Sequence, residues 1–222
     1  MNENLNKILH CLIIEHIASA EPVGSSVLVE KYNLNISPAT ARQRLSELET
    51  LGYIHQPHTS AGRIPTERSY REYAQGIFSK CKLADLNSLK VSADEVELKS
   101  IAKNLAQESN LAVFCAFTRK NLYYTGISNL LKQPEFSQMN KVYDISQIID
   151  EIDEIIDNSF NTIAIGEHIL VGSENPFGSF CSSILIKYRT SIGDGMLGII
   201  GPMRMDYKKN IRLIKLICSN LK

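Results

Sequence analysis

Between Ser37 and Thr66 the chain reads SPATARQRLSELETLGYIHQPHTSAGRIPT. Thr40, Arg42, Gln43 and Arg44 crowd one short helical pattern, and His58, Thr59, Ser60 and Arg63 crowd the turn behind it. Short hydroxyl and amide side chains reach base edges in a groove, and an arginine fork pairs with guanine or holds a phosphate. A turn rich in donors suits phosphates or the minor groove alongside. These residue types in this order point to recognition of a double helix. Arg42 reads as a base or phosphate contact and Arg44 as a clamp on the backbone. Ser37 and Ala39 complete the expected interface, because the N-terminal end of such a helix is the end that enters the groove. The competing reading is a solvated helix face paired with Glu47 and Glu49 and followed by a plain hairpin. The coincidence of a capped helix with a basic turn favours groove binding.

The elements that must position these residues are legible around them. Leu5, Ile8, Leu9, Leu12, Ile13, His16 and Ile17 recur at three- and four-residue steps, which predicts an amphipathic helix over 4–19. A shorter helix follows over 25–32, with Val27, Leu28 and Tyr32 as its apolar positions. Ser37 stands where an N-cap belongs and Pro38 at the first helical position, where its missing N–H costs nothing. On that helix Ala41, Leu45 and Leu48 form the core stripe, while Ala39, Gln43, Ser46 and Thr50 point away. Gly52 is the expected C-terminal stop. YIHQ alternates like a strand, PHTSAG is turn chemistry, RIP returns, and Thr66 is placed to cap a helix that buries Tyr70, Tyr73 and Ile77. Helix, helix, capped helix, two-stranded wing and helix within about 80 residues is the winged variant of the helix-turn-helix.

Residues 81–92 are polar and weakly patterned, the expected linker between a domain over 1–80 and another over 93–222. A helix is expected near 93–109. LAVFCAFT, NTIAIG, SSILIKY and MLGIIG are short apolar runs between turn residues, alternating with helical patterns over 144–157 and 205–221. The second domain therefore reads as mixed α/β, and the chain as α+β overall. DISQIIDEIDEIID carries isoleucines on one face and six carboxylates on the rest, whereas the last helix is basic.

The 222 residues are 44% apolar and 22% charged, with 24 basic against 24 acidic side chains, so affinity for a polyanion must come from local clustering. Apolar runs such as CLII fall far short of the ~20 residues a membrane helix requires. Glu15 and His16 inside the first apolar pattern argue against a signal peptide. Five cysteines, scattered singly, suggest neither a disulfide framework nor a zinc site, and a reducing cytoplasm fits them. Cys115, Cys181 and Cys218 are expected to pack as small hydrophobes. His55 and His58 lack a third metal ligand nearby. GDGMLGIIGP resembles a phosphate-cradling loop only loosely, since it does not open a helix and lacks the lysine and hydroxyl. Glu167, His168, Glu174, Asp194 and Asp206 could serve an acid–base site, but nothing fixes their spacing. No catalytic residue, cofactor or metal is expected.

The segment EPVGSSVLVEKYNLNISPATARQRLSELETLGYIHQPHTSAGRIPTERSYREY strongly resembles the N-terminal signature of the HrcA family of heat-inducible transcription repressors. EPVGS, S-x-A-T-x-R, LE-x-x-GYI and QPHTSAGRIPT carry the match. GISNLLKQPEF and GIIGPMRMDYKKNIRLIKLI resemble that family's C-terminal portion. The resemblance implies a dimeric repressor of chaperone genes that binds an inverted-repeat operator and is supported by the chaperonin. It also implies that the second domain is GAF-like. Family members are generally longer, with a dimerisation domain inserted into the GAF-like one, and here that middle is abridged. They usually have isoleucine at the place of Ala41 and asparagine at that of Gln43. The alternative function is a ligand-sensing regulator, with the GAF-like domain as the small-molecule sensor.

Overall fold

The computed structural model describes residues 2–80, 94–136, 139–190 and 193–220, and the expected linker over 81–92 lies outside them. The chain divides into two compact units, Met1–Gly76 and Ile77–Lys222. No helix among the described residues is long and apolar enough to cross a membrane.

In the first unit, α1 (Glu3–Ser19) is capped by Asn2, whose side chain accepts from the Leu5 N–H at 2.8 Å. Its three-and-four spacing buries Leu5, Ile8, Leu9, Leu12 and Ile13. The helix α2 (Ser25–Lys31) buries Leu28, and α3 (Pro38–Thr50) buries Ala41, Leu45 and Leu48, the expected stripe. Ser37 Oγ accepts from the Thr40 N–H at 3.1 Å, with Pro38 at the first helical position. The helix ends one residue before the expected stop. Leu51 is its last cap, and Gly52 follows in the left-handed region at φ +76. The N–H groups of Tyr53 and Gly52 donate to Leu48 and Glu49 carbonyls, a pairing that a residue with a Cβ strains to make.

The strands β1 (Ile54–His55) and β2 (Ile64–Pro65) pair antiparallel, each only two residues long. Tyr53 and Ile54 are both buried, so the alternation read into YIHQ is not realised. The ribbon gains a third contact instead: Val23 and Arg63 exchange two backbone hydrogen bonds of 2.9 Å. A Cβ at Gly62 would lie 2.5 Å from the Val23 carbonyl carbon, so that close approach requires glycine. Thr66 precedes α4 (Glu67–Lys80), but its hydroxyl donates backwards to the carbonyls of Gly52 and Tyr53 at 2.9 and 3.1 Å. It ties α4 to the end of α3. Tyr70 is buried in α4, whereas Tyr73 and Ile77 are half-buried.

The second unit is built on one antiparallel sheet in the order β4-β3-β7-β6-β5: β3 (Ala112–Thr118), β4 (Asn121–Thr125), β5 (Gly166–Val171), β6 (Cys181–Thr190) and β7 (Gly193–Pro202). Registers pair Phe114 with Gly198 and Leu185 with Gly198, which places the three on one face. That face packs Ala112, Phe114, Leu185, Met196 and Ile200 against α6 (Ile127–Leu131), α7 (Met139–Asp150) and α8 (Ile152–Thr162), through Leu130, Ile145, Ile152, Ile156 and Phe160. The α5 helix (Glu95–Ser109) contacts β3, β4 and β7, and α9 (Tyr207–Asn220) contacts β6.

Two sequence expectations are corrected. The single helix over 144–157 is two helices, broken at Glu151 with φ −97 and ψ 5 although no proline or glycine stands there. NTIAIG is not a strand: α8 runs to Thr162, and the edge strand is GEHILV. The reason is Lys187, whose buried Nζ donates to the carbonyls of Phe160 at 2.8 Å and Ile163 at 2.9 Å. That contact closes the end of α8 and holds Ile163 as its extended C-cap, at φ −95 and ψ 127, short of β5.

Candidate nucleic-acid interface

The exposed side of α3 carries the residues singled out for groove contact. Ser37, Ala39, Arg42 and Gln43 are exposed, while Thr40 and Arg44 are half-buried. The Thr40 hydroxyl already shares a 2.9 Å hydrogen bond with Ser37 Oγ, so cap and candidate contact form one unit. Arg44 Nη1 pairs with Glu47 at 3.0 Å along the helix, which leaves the longer reach outward to Arg42 and Gln43. On the turn between β1 and β2, His58, Thr59 and Ser60 are exposed.

A cleft of about 450 Å³ joins the two groups. Its lining includes Arg42 from α3, Thr59, Ser60 and Arg63 from the ribbon, and Ser25 and Ser26 from the start of α2. The fold thus gathers four of the ten expected residues around one concavity. Ser37, Ala39, Thr40, Gln43, Arg44 and His58 lie outside its lining. Sequence reasoning missed Ser25 and Ser26; the signal was the small-residue run Gly24-Ser25-Ser26 before a short helix. Arg63 is the residue whose setting differs most from expectation. Its Nε donates to Glu49 at 2.9 Å and its side chain is only 18% exposed, so part of its charge is spent inside the unit.

The other chemistries weighed on the sequence resolve into local structure. Glu174 accepts from the Val171 N–H, Asp206 caps α9 through the Lys209 N–H, and Asp194 lies near Lys187 and Arg189. His168 meets the Ala164 carbonyl at 2.8 Å, and Glu167, its neighbour along β5, points to the opposite face. Burial raises the Glu167 carboxyl above its ordinary value, offset in part by Lys215. No group of three or more His, Cys, Asp or Glu among the described residues is arranged to hold a metal ion. The glycines of GDGMLGIIG lie in β7 and make room for bulky neighbours: a Cβ at Gly195 would meet the Tyr188 ring at 2.4 Å, and one at Gly198 the Phe114 ring at 2.5 Å. Cys115 and Cys181 are buried, the Cys115 thiol being pushed up to about 12 by burial. Nothing in the structure describes the Cys218 side chain. Between the sheet and α7, a pocket lined by Ala112, Ile145, Ile148 and Phe177 offers about 10 Å³, roughly the room of one water.

A small helical unit with exposed cations and amides beside a ribbon, followed by a mixed α/β unit on a five-stranded antiparallel sheet, is the class of molecule that results. The family description "HrcA protein C terminal domain" matches residues 68–211, most of the chain, and the chain belongs to the HrcA family. Residues 37–66 lie outside that match. Among curated relatives, the heat-inducible transcription repressor HrcA of Symbiobacterium thermophilum is 24% identical over 335 aligned positions, covering 100% of this chain and 98% of the relative. Since this chain has 222 residues, the remainder of that alignment is stretches of the relative with no counterpart here. The repressor of the same name from Pelotomaculum thermopropionicum is 46% identical over 84 residues, 38% of this chain and 24% of that one. A solved structure described as a hypothetical protein superposes with a TM-score of 0.82 at 19% identity, covering 100% of this chain and 97% of that one. That similarity supports the fold alone.

Proposed function

We propose that the chain is a cytoplasmic transcription repressor that binds an operator duplex through residues 1–80, a winged helix-turn-helix domain. Residues 81–92 join it to a reduced GAF-like domain over 93–222 through which two copies pair. The observation that carries this reading is the cleft that brings Arg42 of α3 together with Thr59, Ser60 and Arg63 of the ribbon. Helix and wing then grip one duplex from two sides: Thr40, Arg42 and Gln43 toward base edges, Ser37 and Ala39 close to the strand where the helix enters, and Arg44, His58, Thr59 and Ser60 toward phosphates. The relatives are named heat-inducible transcription repressors, which supports repression of transcription, here of heat-shock genes. Two recognition helices must lie about 34 Å apart to read an inverted repeat, which requires a symmetric dimer. In the second unit the interior pocket has room for only about 10 Å³, and the larger opening, about 410 Å³ bordered by Arg119, Lys120, Phe160 and Asp194, lies at the surface, so an enclosed sensor cavity has no support.

Selection from a random duplex library at physiological salt tests the reading. An inverted repeat whose half-sites are one helical turn or a multiple apart is the expected product. Failure to enrich any sequence, or a monomer by light scattering both with and without the enriched duplex, would overturn it.

A further inference from the structure

One carboxylate holds both sides of the ribbon. Glu49, in the last turn of α3, accepts from the Gln56 backbone N–H through Oε1 at 2.9 Å. Through Oε2 it accepts from Arg63 Nε, also at 2.9 Å. Gln56 directly follows β1 and Arg63 directly precedes β2, so the two contacts sit at the base of the turn that presents His58, Thr59 and Ser60. The Gln56 side chain then braces the turn, its Nε2 donating to the carbonyls of Thr59 and Ala61 at 2.8 and 2.9 Å. Two residues per strand give a ladder too short to fix the direction of such a turn, because an isolated two-stranded ribbon is marginal in water. Charge-assisted bonds to a helix supply the missing constraint.

We infer that Glu49 is a positioning residue of the DNA grip: it aims the ribbon turn relative to α3, and Arg63 acts as its strut. The inference rests on the duplex-binding reading and makes a claim of distinctive sign. A carboxylate near a polyanion repels it, so electrostatics alone has Glu49→Ala tighten binding to every duplex by deleting a negative charge and releasing Arg63. A strut has the same change weaken binding to the operator, because Thr59 and Ser60 lose their fixed place. The released Arg63 meanwhile raises affinity for unrelated sequences.

The experiment uses the full chain as wild type, Glu49→Ala, Glu49→Gln, Arg63→Ala and the Glu49→Ala/Arg63→Ala pair. Each is titrated with the library-selected duplex and with a scrambled one, and amide hydrogen exchange is followed over 56–63. Glu49→Ala is expected to weaken the selected duplex at least tenfold, narrow its margin over the scrambled one, and speed exchange over 56–63 while α1 stays protected. Glu49→Gln keeps an acceptor for the Gln56 N–H and falls between; it carries the comparison if the alanine variant loses protection throughout. In the double variant the gain for the scrambled duplex is lost, because the released guanidinium is gone, and an undiminished gain there would overturn the strut's role for Arg63. Selected-duplex binding by Glu49→Ala as tight as wild type or tighter, or unchanged exchange over 56–63, overturns the inference. Should the wild type select no duplex, the function reading falls, and the exchange result alone decides whether Glu49 is a strut.

Discussion

The two units keep their surfaces in place by different means. In the first, the segment proposed for recognition is tied down by side chains at the surface: Ser37 on Thr40, Glu49 on Gln56 and Arg63, Thr66 on Gly52 and Tyr53. In the second, a sheet buried on both faces does the work, with Phe114, Tyr188 and Ile184 wholly enclosed and glycines thinned out beneath the rings. Polar tethers contribute about 1 kcal/mol each and fix direction, whereas buried apolar side chains contribute several and fix existence. The ribbon is therefore adjustable apart from the core beneath it. Substitutions at the ribbon's tethers should alter binding before stability, and substitutions in the sheet of the second unit the reverse.

The largest effect that tests this belongs to the sheet. Phe114→Ala removes a ring packed against Phe177 and over Gly198, and should cost about 3–5 kcal/mol. Urea unfolding followed by hydrogen exchange should show the second unit opening early while α1 and α3 keep their protection. Equal loss in both units would erase the distinction. Next in size is Arg42→Ala, which should cost roughly 1–3 kcal/mol of operator binding if the side chain reads a base, with no change in urea midpoint. Fluorescence anisotropy against the selected and scrambled duplexes separates base reading from a phosphate contact, since the latter weakens both alike and flattens the salt dependence.

The same contrast explains what could be read from the sequence. The Ser37-Pro38 start and the Ala41, Leu45 and Leu48 stripe depend on neighbours within one helix and were legible, and the stop was legible to within one residue of Gly52. Strands β3, β6 and β7 were legible as apolar runs because the sheet buries them on both faces. The split at Glu151 was not, since Ile145, Ile148, Ile149, Ile152 and Ile156 keep one unbroken helical spacing across it. Strand β5 was displaced by the apolar letters of Ile163 to Ile165, whose fate is decided by a lysine on another strand. Strand β4 begins with a polar residue and remains half-exposed, so it lacked an apolar signature. The set Arg42, Thr59 and Ser60 could be proposed from composition and order. The tie from Glu49 to residues seven and fourteen positions away could not, because it exists only once the ribbon has folded back.

A smaller effect should come from Ser37→Ala, which removes the acceptor for the Thr40 N–H and the partner of the Thr40 hydroxyl. Loss of such a cap costs about 1 kcal/mol. The substitution should fray the first turn of α3, lowering the urea midpoint of the first unit slightly. It should weaken operator binding more than the stability change accounts for, because the frayed turn is the one that carries Ala39 and Thr40. Ser37→Asp should restore the cap and the midpoint. If it restores neither, the capping account of this turn is wrong.

The smallest expected effect lies in the pH dependence of the α1–α2 contact. Glu15 is buried, and its carboxylate accepts from Lys31 Nζ at 3.0 Å and from the Tyr32 hydroxyl at 3.0 Å. The Lys31 hydrogen bond, opposed by burial and joined by that of Tyr32, holds the Glu15 carboxyl below its ordinary value of 4.5. Folding therefore favours the ionised form. The stability this contributes is present above the unfolded carboxylate value and is lost as pH falls through the lower folded one. Burial first, and the Glu15 carboxylate second, push the Tyr32 phenol from 10.0 up to about 12, so folding favours its neutral form. That contribution is present below 10.0 and fades as pH rises toward 12. Glu15→Gln should flatten the acid limb of the first unit's stability profile, and Tyr32→Phe the alkaline limb. The acid-limb change should be modest, since the Lys31 side chain is 57% exposed and water screens its charge. Urea midpoints of the wild type and both variants between pH 3 and 11 provide the check. An acid limb as steep in Glu15→Gln as in the wild type would move the titrating group elsewhere in the unit.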